Sequence, residues 1–301
     1  MRNLRSVIPS RSSILHLRFG FSLFLMPVYL FAFSQVITIN VWNALWAFFI
    51  WHFLAFPASN GYNSYFDQDK ASIGLLEKPP AVDISLYYLS LLLEILAFLL
   101  GFLINWRFAA AVLLYGVMSK LYSHPSVRLK KYPIGSFLTV LFFQGAFIYW
   151  TTYMAISNRN YLDLWHINFI IAGAVCSALI GASYPLTQIY QHEEDGFRGD
   201  RTISLLLGFK YTFVLSGGFF LIALLLSFVY WTMNNTVGYF YLFLICTAPV
   251  FLFFNYWFYK VLRSGINANY KNAMRMNFIS AGCTLFYFLV LVMLSRHIWV
   301  P

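Results

Sequence analysis

Nine apolar runs, each long enough to cross about 30 Å of hydrocarbon, take up most of this 301-residue chain. They fall at roughly 19–37, 39–58, 84–104, 106–122, 134–156, 165–188, 205–231, 237–259 and 276–299. Stretches such as Leu91–Ile104 and Phe219–Val229 do not alternate polar with apolar residues, as strands of a membrane barrel must. The expected fold is therefore an all-α integral membrane protein with nine transmembrane helices. Only 10% of residues are charged, against ~25% in a soluble domain. That is too little to clothe a soluble enzyme or a nucleic-acid-binding module, despite the net charge of +10. No nucleic-acid partner is expected; the bilayer is. At 60% hydrophobic, the chain is not disordered either.

The basic residues test the helix count. With the N-terminus in the cytoplasm, all but Arg107, Arg159 and Arg296 of the 20 Lys and Arg fall on the inner side, as the positive-inside rule requires. The first run follows a basic cytoplasmic tail, 1–18, and lacks a small-residue cleavage site. It reads as a retained helix of a bacterial inner-membrane protein. Acidic residues are needed for no such reason. Of the ten, eight sit in two inner loops: Asp67, Asp69, Glu77 and Asp83, then Glu193, Glu194, Asp195 and Asp200. Glu94 lies in the third run and Asp163 lies outside. The inner loops alternate acidic and basic, and the pattern recurs four helices later. This suggests two related four-helix halves plus one helix, in a single domain over 1–301. Cys176, Cys246 and Cys283 lie in apolar stretches without metal-ligand spacing and read as packing residues. His52, His124, His166 and His192 likewise read as interfacial or structural.

In the first acidic loop Asn63 and Asp67 are four apart, on one face of a helix continuing out of the second run. In the second, Gln191 and Asp195 are again four apart. Two such oxygen-bearing pairs at one membrane depth suit Mg²⁺, which takes a few carboxylates together with substrate phosphates. Glu94 is an ionisable group in mid-span, costly there. It either meets a ligand or bonds a neighbouring helix.

Three segments resemble the UbiA-type intramembrane prenyltransferases. Asn63-Ser-Tyr-Phe-Asp67 resembles the opening of their Asn-Asp-x-x-Asp-x-x-x-Asp signature, with Ser64 and Ala71 at acidic positions. Asp195, Gly199, Arg201 and Thr202 match the second signature, with Gln191 for its leading Asp. The segment from Lys120 through Tyr122 and Arg128 to Lys130 is similar to the family's basic loop between helices four and five. The resemblance implies a UbiA-like bundle around a central cavity. It also implies transfer of an isoprenyl group from a prenyl diphosphate to a lipophilic, aromatic acceptor such as a quinone precursor, Mg²⁺-assisted, with release of pyrophosphate. Asp67 and Asp195 would be catalytic. Asn63, Asp67, Gln191, Glu194 and Asp195 would hold Mg²⁺, with Asp69 in reserve. Lys120, Arg128, Lys130 and above all Arg201 would bind the diphosphate, and Glu94 and Tyr122 the acceptor. Ser64, Ala71 and Gln191 leave the site less negative than the family pattern. Two readings compete. One is a transporter, although that would place its ionisable groups at mid-depth. The other is a catalytically silent UbiA-like scaffold or lipid-binding protein.

Overall fold

The computed structural model describes residues 8–157 and 166–295. Arg2, Arg5, Arg159, Asp163, Arg296, residues 1–7 of the basic tail and the outer ends of the sixth and ninth apolar runs lie outside the described residues. The helices are α1 (Arg11–Gln35), α2 (Val41–Asp67), α3 (Ile84–Gly101), α4 (Trp106–Ser123), α5 (Pro133–Ser157), α6 (Ile167–Gln188), α7 (His192–Arg198), α8 (Ile203–Met233), α9 (Gly238–Arg263) and α10 (Tyr270–Ser295). No strand occurs among the described residues. Eight of these helices are long and apolar enough to cross a membrane. The eighteen-residue α4, which carries Arg107 and Lys120, is not apolar enough to count among these eight, yet it lies between α3 and α5 where the fourth apolar run was expected. Side chains such as Leu225, Ile245 and Leu252 stand more than half exposed on the outside of the bundle. An apolar exterior of this kind fits lipid rather than water.

Two helices depart from the α pattern for local reasons. Pro57 has no N–H to give the preceding turn, and α2 widens into a π turn over Ile50–Ala55. Ser22 Oγ donates to the His52 carbonyl there at 3.0 Å. In α5 a second π turn, Phe142–Ala146, carries Gln144. Ser177 Oγ of α6 accepts from Ala146 N at 3.0 Å, and Gly145 lies so near the Ser177 backbone that a Cβ would collide with it. In α8, Gly208 has φ 69° and ψ 174°. That backbone is open to glycine alone, and it kinks the helix.

Alternating helices put the connections 68–83, 124–132, 189–202 and 264–269 at one end. Lys130 and Asp200, from two of them, meet there with Asp67 at the end of α2. At the other end Asn40 N meets the Ile156 carbonyl at 3.0 Å and Asn168 meets Asn234 at 3.0 Å. That far end holds the larger aromatic core, with Trp51, Phe31 and Tyr149 fully buried.

Candidate diphosphate and metal site

Helix α2 runs on past its apolar stretch to Asp67, and so carries Asn63 and Asp67 on one face, as expected. In the second stretch Gln191 caps α7 rather than sharing its helix, yet its carbonyl accepts from Asp195 N at 2.8 Å and keeps the two side by side. Gly199, at φ 77°, ends α7 in the left-handed region. The chain then turns back, so that Thr202 Oγ1 reaches Asp195 Oδ2 at 3.2 Å. Asn63, Asp67, Gln191 and Asp195 all line one polar cavity of about 190 Å³ at the basic end. Asn63 Nδ2 donates to Ser123 Oγ at 3.0 Å, leaving its amide oxygen uncommitted.

The carboxylates are tied to cations. Lys130 Nζ lies 2.5 Å from Asp67 Oδ2 and 3.3 Å from Asp200 Oδ2. Arg128 makes a two-pronged pair with Asp200 at 2.7 Å on each prong and reaches Asp67 at 3.3 Å. Its backbone, at φ 45°, starts the tight turn that carries Lys130 under Asp67. Arg198 donates to Asp69 at 2.7 Å and lies 3.2 Å from Glu194. Glu194 in turn accepts from the backbone of Lys70 at 2.8 Å and Ala71 at 3.1 Å. Burial pushes the Asp195 carboxyl up to about 7, with Lys130 pulling the other way. Burial also acts against the Arg198 guanidinium, but Asp69, Asp67 and Glu194 outweigh it and hold its charge firmly. Burial pushes His192 down to about 4. Stacked on Phe209 and 2.7 Å from Ser204 Oγ, it is a neutral structural ring.

Below the polar cavity lies an apolar one of about 210 Å³ between α1, α6, α8, α9 and α10. The two share Phe21, Ser59, Asn60, Tyr115, Gln144, Tyr184 and Thr187 on their walls. A ligand with an anionic head and a greasy tail would lie across that shared boundary.

Several expected residues sit elsewhere. Arg201 is exposed and lines neither cavity, because the turn after Gly199 carries it outward. Lys120 bonds Glu94 and lies 5.4 Å over the Tyr62 ring. Neither Lys120 nor Glu94 lines a cavity; their pair joins α3 to α4. Arg128 and Glu194 do not line the cavity but bond wall residues from behind, Arg128 to Asp67 and Glu194 to Arg198. Tyr122 lines the polar cavity with its hydroxyl bonded to that of Tyr184. Sequence reasoning missed Arg18 and Arg198 on the cavity wall and Asp200 behind it. Arg198 carried a signal: it is four residues after Glu194, on the same helix face.

The UbiA prenyltransferase family profile matches residues 22–279. The chain belongs to that family. Among solved structures it is similar to a UbiA homologue from Archaeoglobus fulgidus bound to GPP and Mg²⁺, at 15% identity, covering 93% of this chain and 99% of that one with a TM-score of 0.64. The same homologue bound to DMAPP and Mg²⁺ matches at 14% identity, 93% and 99% coverage and a TM-score of 0.64. A digeranylgeranylglyceryl phosphate synthase structure matches at 16% identity, 95% and 98% coverage and a TM-score of 0.59. At these identities the likeness is one of fold. No curated protein matches the chain. Family and fold together make it a multi-pass integral membrane protein.

Proposed function

We propose that this chain transfers a prenyl group from a prenyl diphosphate to a lipophilic acceptor, assisted by Mg²⁺, with release of pyrophosphate. The observation that carries this is the meeting of Asn63, Asp67, Gln191 and Asp195 on one polar wall at the head of an apolar chamber. Family membership and the fold shared with a homologue bound to GPP and Mg²⁺ support it.

The donor set fits Mg²⁺: two carboxylates and two amide oxygens, all hard, with water and phosphate oxygens to complete six-fold coordination. Among the described residues no group of three His, Cys, Asp or Glu could hold a metal alone. A set this lean suits an ion that arrives with the diphosphate. Bound there, Mg²⁺ would screen the carboxylates from the phosphates and stabilise charge on the leaving group.

The protein's own groups do the rest. Lys130 and Arg198, on the cavity wall, would take phosphate oxygens by charge-assisted hydrogen bonds. Arg128 and Asp200 hold Lys130 in position from behind. As the C–O bond breaks, its electron pair leaves with pyrophosphate and an allylic cation remains. Phe21 and Tyr115, on the boundary between the cavities, are aromatic rings placed where they would shelter it. The acceptor attacks that carbon and loses a proton. The tail lies in the apolar chamber among Phe24, Leu179 and Phe220. In the cell the basic end would face the cytoplasm of a bacterial inner membrane, with the whole chain acting as one domain.

The test is pyrophosphate release from a series of prenyl diphosphates by the purified protein in nanodiscs, with quinone precursors as acceptors. Release should need Mg²⁺, stop in chelator and be lost in Asp67→Ala and Asp195→Ala. Absence of release with every donor and acceptor would overturn the proposal and leave the silent-scaffold reading.

A further inference from the structure

The apolar chamber is not uniformly apolar. Asn277 of α10 and Ser216 of α8 both line it, at 7% and 1% exposure. Neither Asn277 Nδ2 nor Ser216 Oγ, both fully buried, has a hydrogen-bond partner. Most other hydroxyls there are already satisfied: Thr247 and Thr284 bond the carbonyls of Phe243 and Ser280 in their own helices, at 2.7 Å each. An unpaired donor in a hydrocarbon-like wall is costly, and such groups are rarely left so. Two in one cavity point to a ligand that supplies the missing partners.

The wall also specifies the ligand's charge. Among the described residues no Lys, Arg, His, Asp or Glu lines this cavity. An anionic carboxylate or phosphate would be desolvated there without a counter-ion. An amide N–H and a hydroxyl can satisfy a neutral oxygen: the amide donates to it, and the hydroxyl accepts the proton of an O–H or donates to a carbonyl. Depth agrees with this. Asn277 lies seven residues into α10 from its basic end, and Asn60 seven residues from the basic end of α2. At ~1.5 Å rise per residue both stand roughly 10 Å below that end. Asn60 is on the boundary shared with the polar cavity, where the reacting carbon of a prenyl diphosphate would lie.

We infer that the acceptor is an uncharged, oxygen-bearing lipophile, a phenol or quinol without carboxylate or phosphate, and that Asn277 and Ser216 bind its oxygen at the wall of the apolar chamber, beside the prenyl tail. This rests on the prenyl-transfer reading and narrows its acceptor. The test is equilibrium binding of three probes to the full-length protein in nanodiscs, with protein-free nanodiscs subtracted: 1-naphthol, naphthalene, and 1-naphthoate, an anion at neutral pH. Wild type should bind 1-naphthol at least about tenfold more tightly than naphthalene, the size of one well-made buried hydrogen bond, and more tightly than 1-naphthoate. That preference should fall about threefold or more in Asn277→Leu and in Ser216→Ala. Ser216→Ala removes one oxygen and guards against misfolding of the other variant. Equal binding of 1-naphthol and naphthalene by wild type, as water alone filling the sites would give, overturns the inference. So does a preference for 1-naphthoate, or an unchanged preference in both variants. The binding needs neither metal nor diphosphate. Its failure is therefore distinct from failure of pyrophosphate release, which would strike the enzyme reading instead.

Discussion

Arg198 Nη2 donates to Asp69 Oδ1 at 2.7 Å, across 129 residues of chain. The two acidic stretches are thus held together by a cation from one and a carboxylate from the other. Both groups are largely buried, with Arg198 also touching Glu194 and Asp67. Arg198→Met should weaken the tie between the stretches, leaving the Glu194 bonds to the backbone of Lys70 and Ala71. We expect a lower Tm and, in a double-mutant cycle with Asp69→Asn, a coupling of about 1–2 kcal/mol. Arg198→Lys should restore only part of it, because an ammonium cannot reproduce the planar fork.

Lys130 and Arg201 should behave oppositely. Lys130 is on the cavity wall, and its loss removes a charge-assisted bond worth about 1.5–3 kcal/mol. Titration of geranyl diphosphate into Lys130→Met should therefore show a Kd raised roughly 10- to 100-fold. Arg201 is exposed and away from both cavities, so Arg201→Ala should bind like wild type.

These two residues also mark how far the sequence could be read. Nine spans, their shared basic end and the helical continuation to Asp67 follow from apolar length, charge bias and i, i+4 spacing. Arg201 matched a motif by spacing, but whether its side chain faces the cavity depends on where α7 stops. That stop is set by the left-handed Gly199, a boundary that pattern reading locates poorly. Arg198 was hidden among the inner basic residues, since the positive-inside bias alone accounts for such charges. Glu94 was legible as a costly mid-span group, and Lys120 only as part of the basic segment. Their pairing depends on the register of the short 102–105 turn between α3 and α4, which no periodicity reports. The unpaired Asn277 and Ser216 look like ordinary polar residues of apolar runs until the surrounding helices close a cavity around them.

The pair between Glu94 and Lys120 is structural in this account. Glu94→Ala leaves Lys120 without its carboxylate partner in a membrane helix, at a cost of order 3 kcal/mol. Glu94→Ala should lower Tm more than the double variant with Lys120→Ala. Acceptor preference among the naphthalene probes should not change in either.

Asp200 gives the pH dependence. Burial pushes its carboxyl up, but the Arg128 pair and Lys130 more than offset this and hold it below the usual value. A carboxyl depressed in the folded state stabilises at pH above its unfolded value, ~3.9, and loses that contribution as pH falls through the lower folded value. The Tm gap between wild type and Asp200→Asn should narrow as pH falls below about 4, measured in nanodiscs by thermal melting.

Prenyl transfer by this chain requires residues 63–67 and 191–195 to form one diphosphate-binding wall. The most direct measurement is calorimetric titration of geranyl diphosphate with Mg²⁺ into wild type, Asp67→Asn, Asp195→Asn and the double variant. Ligands of one site lose affinity together, so each single variant should cost nearly as much as the pair. Binding in wild type should vanish in chelator. Additive losses, or binding that ignores either substitution, would contradict the account.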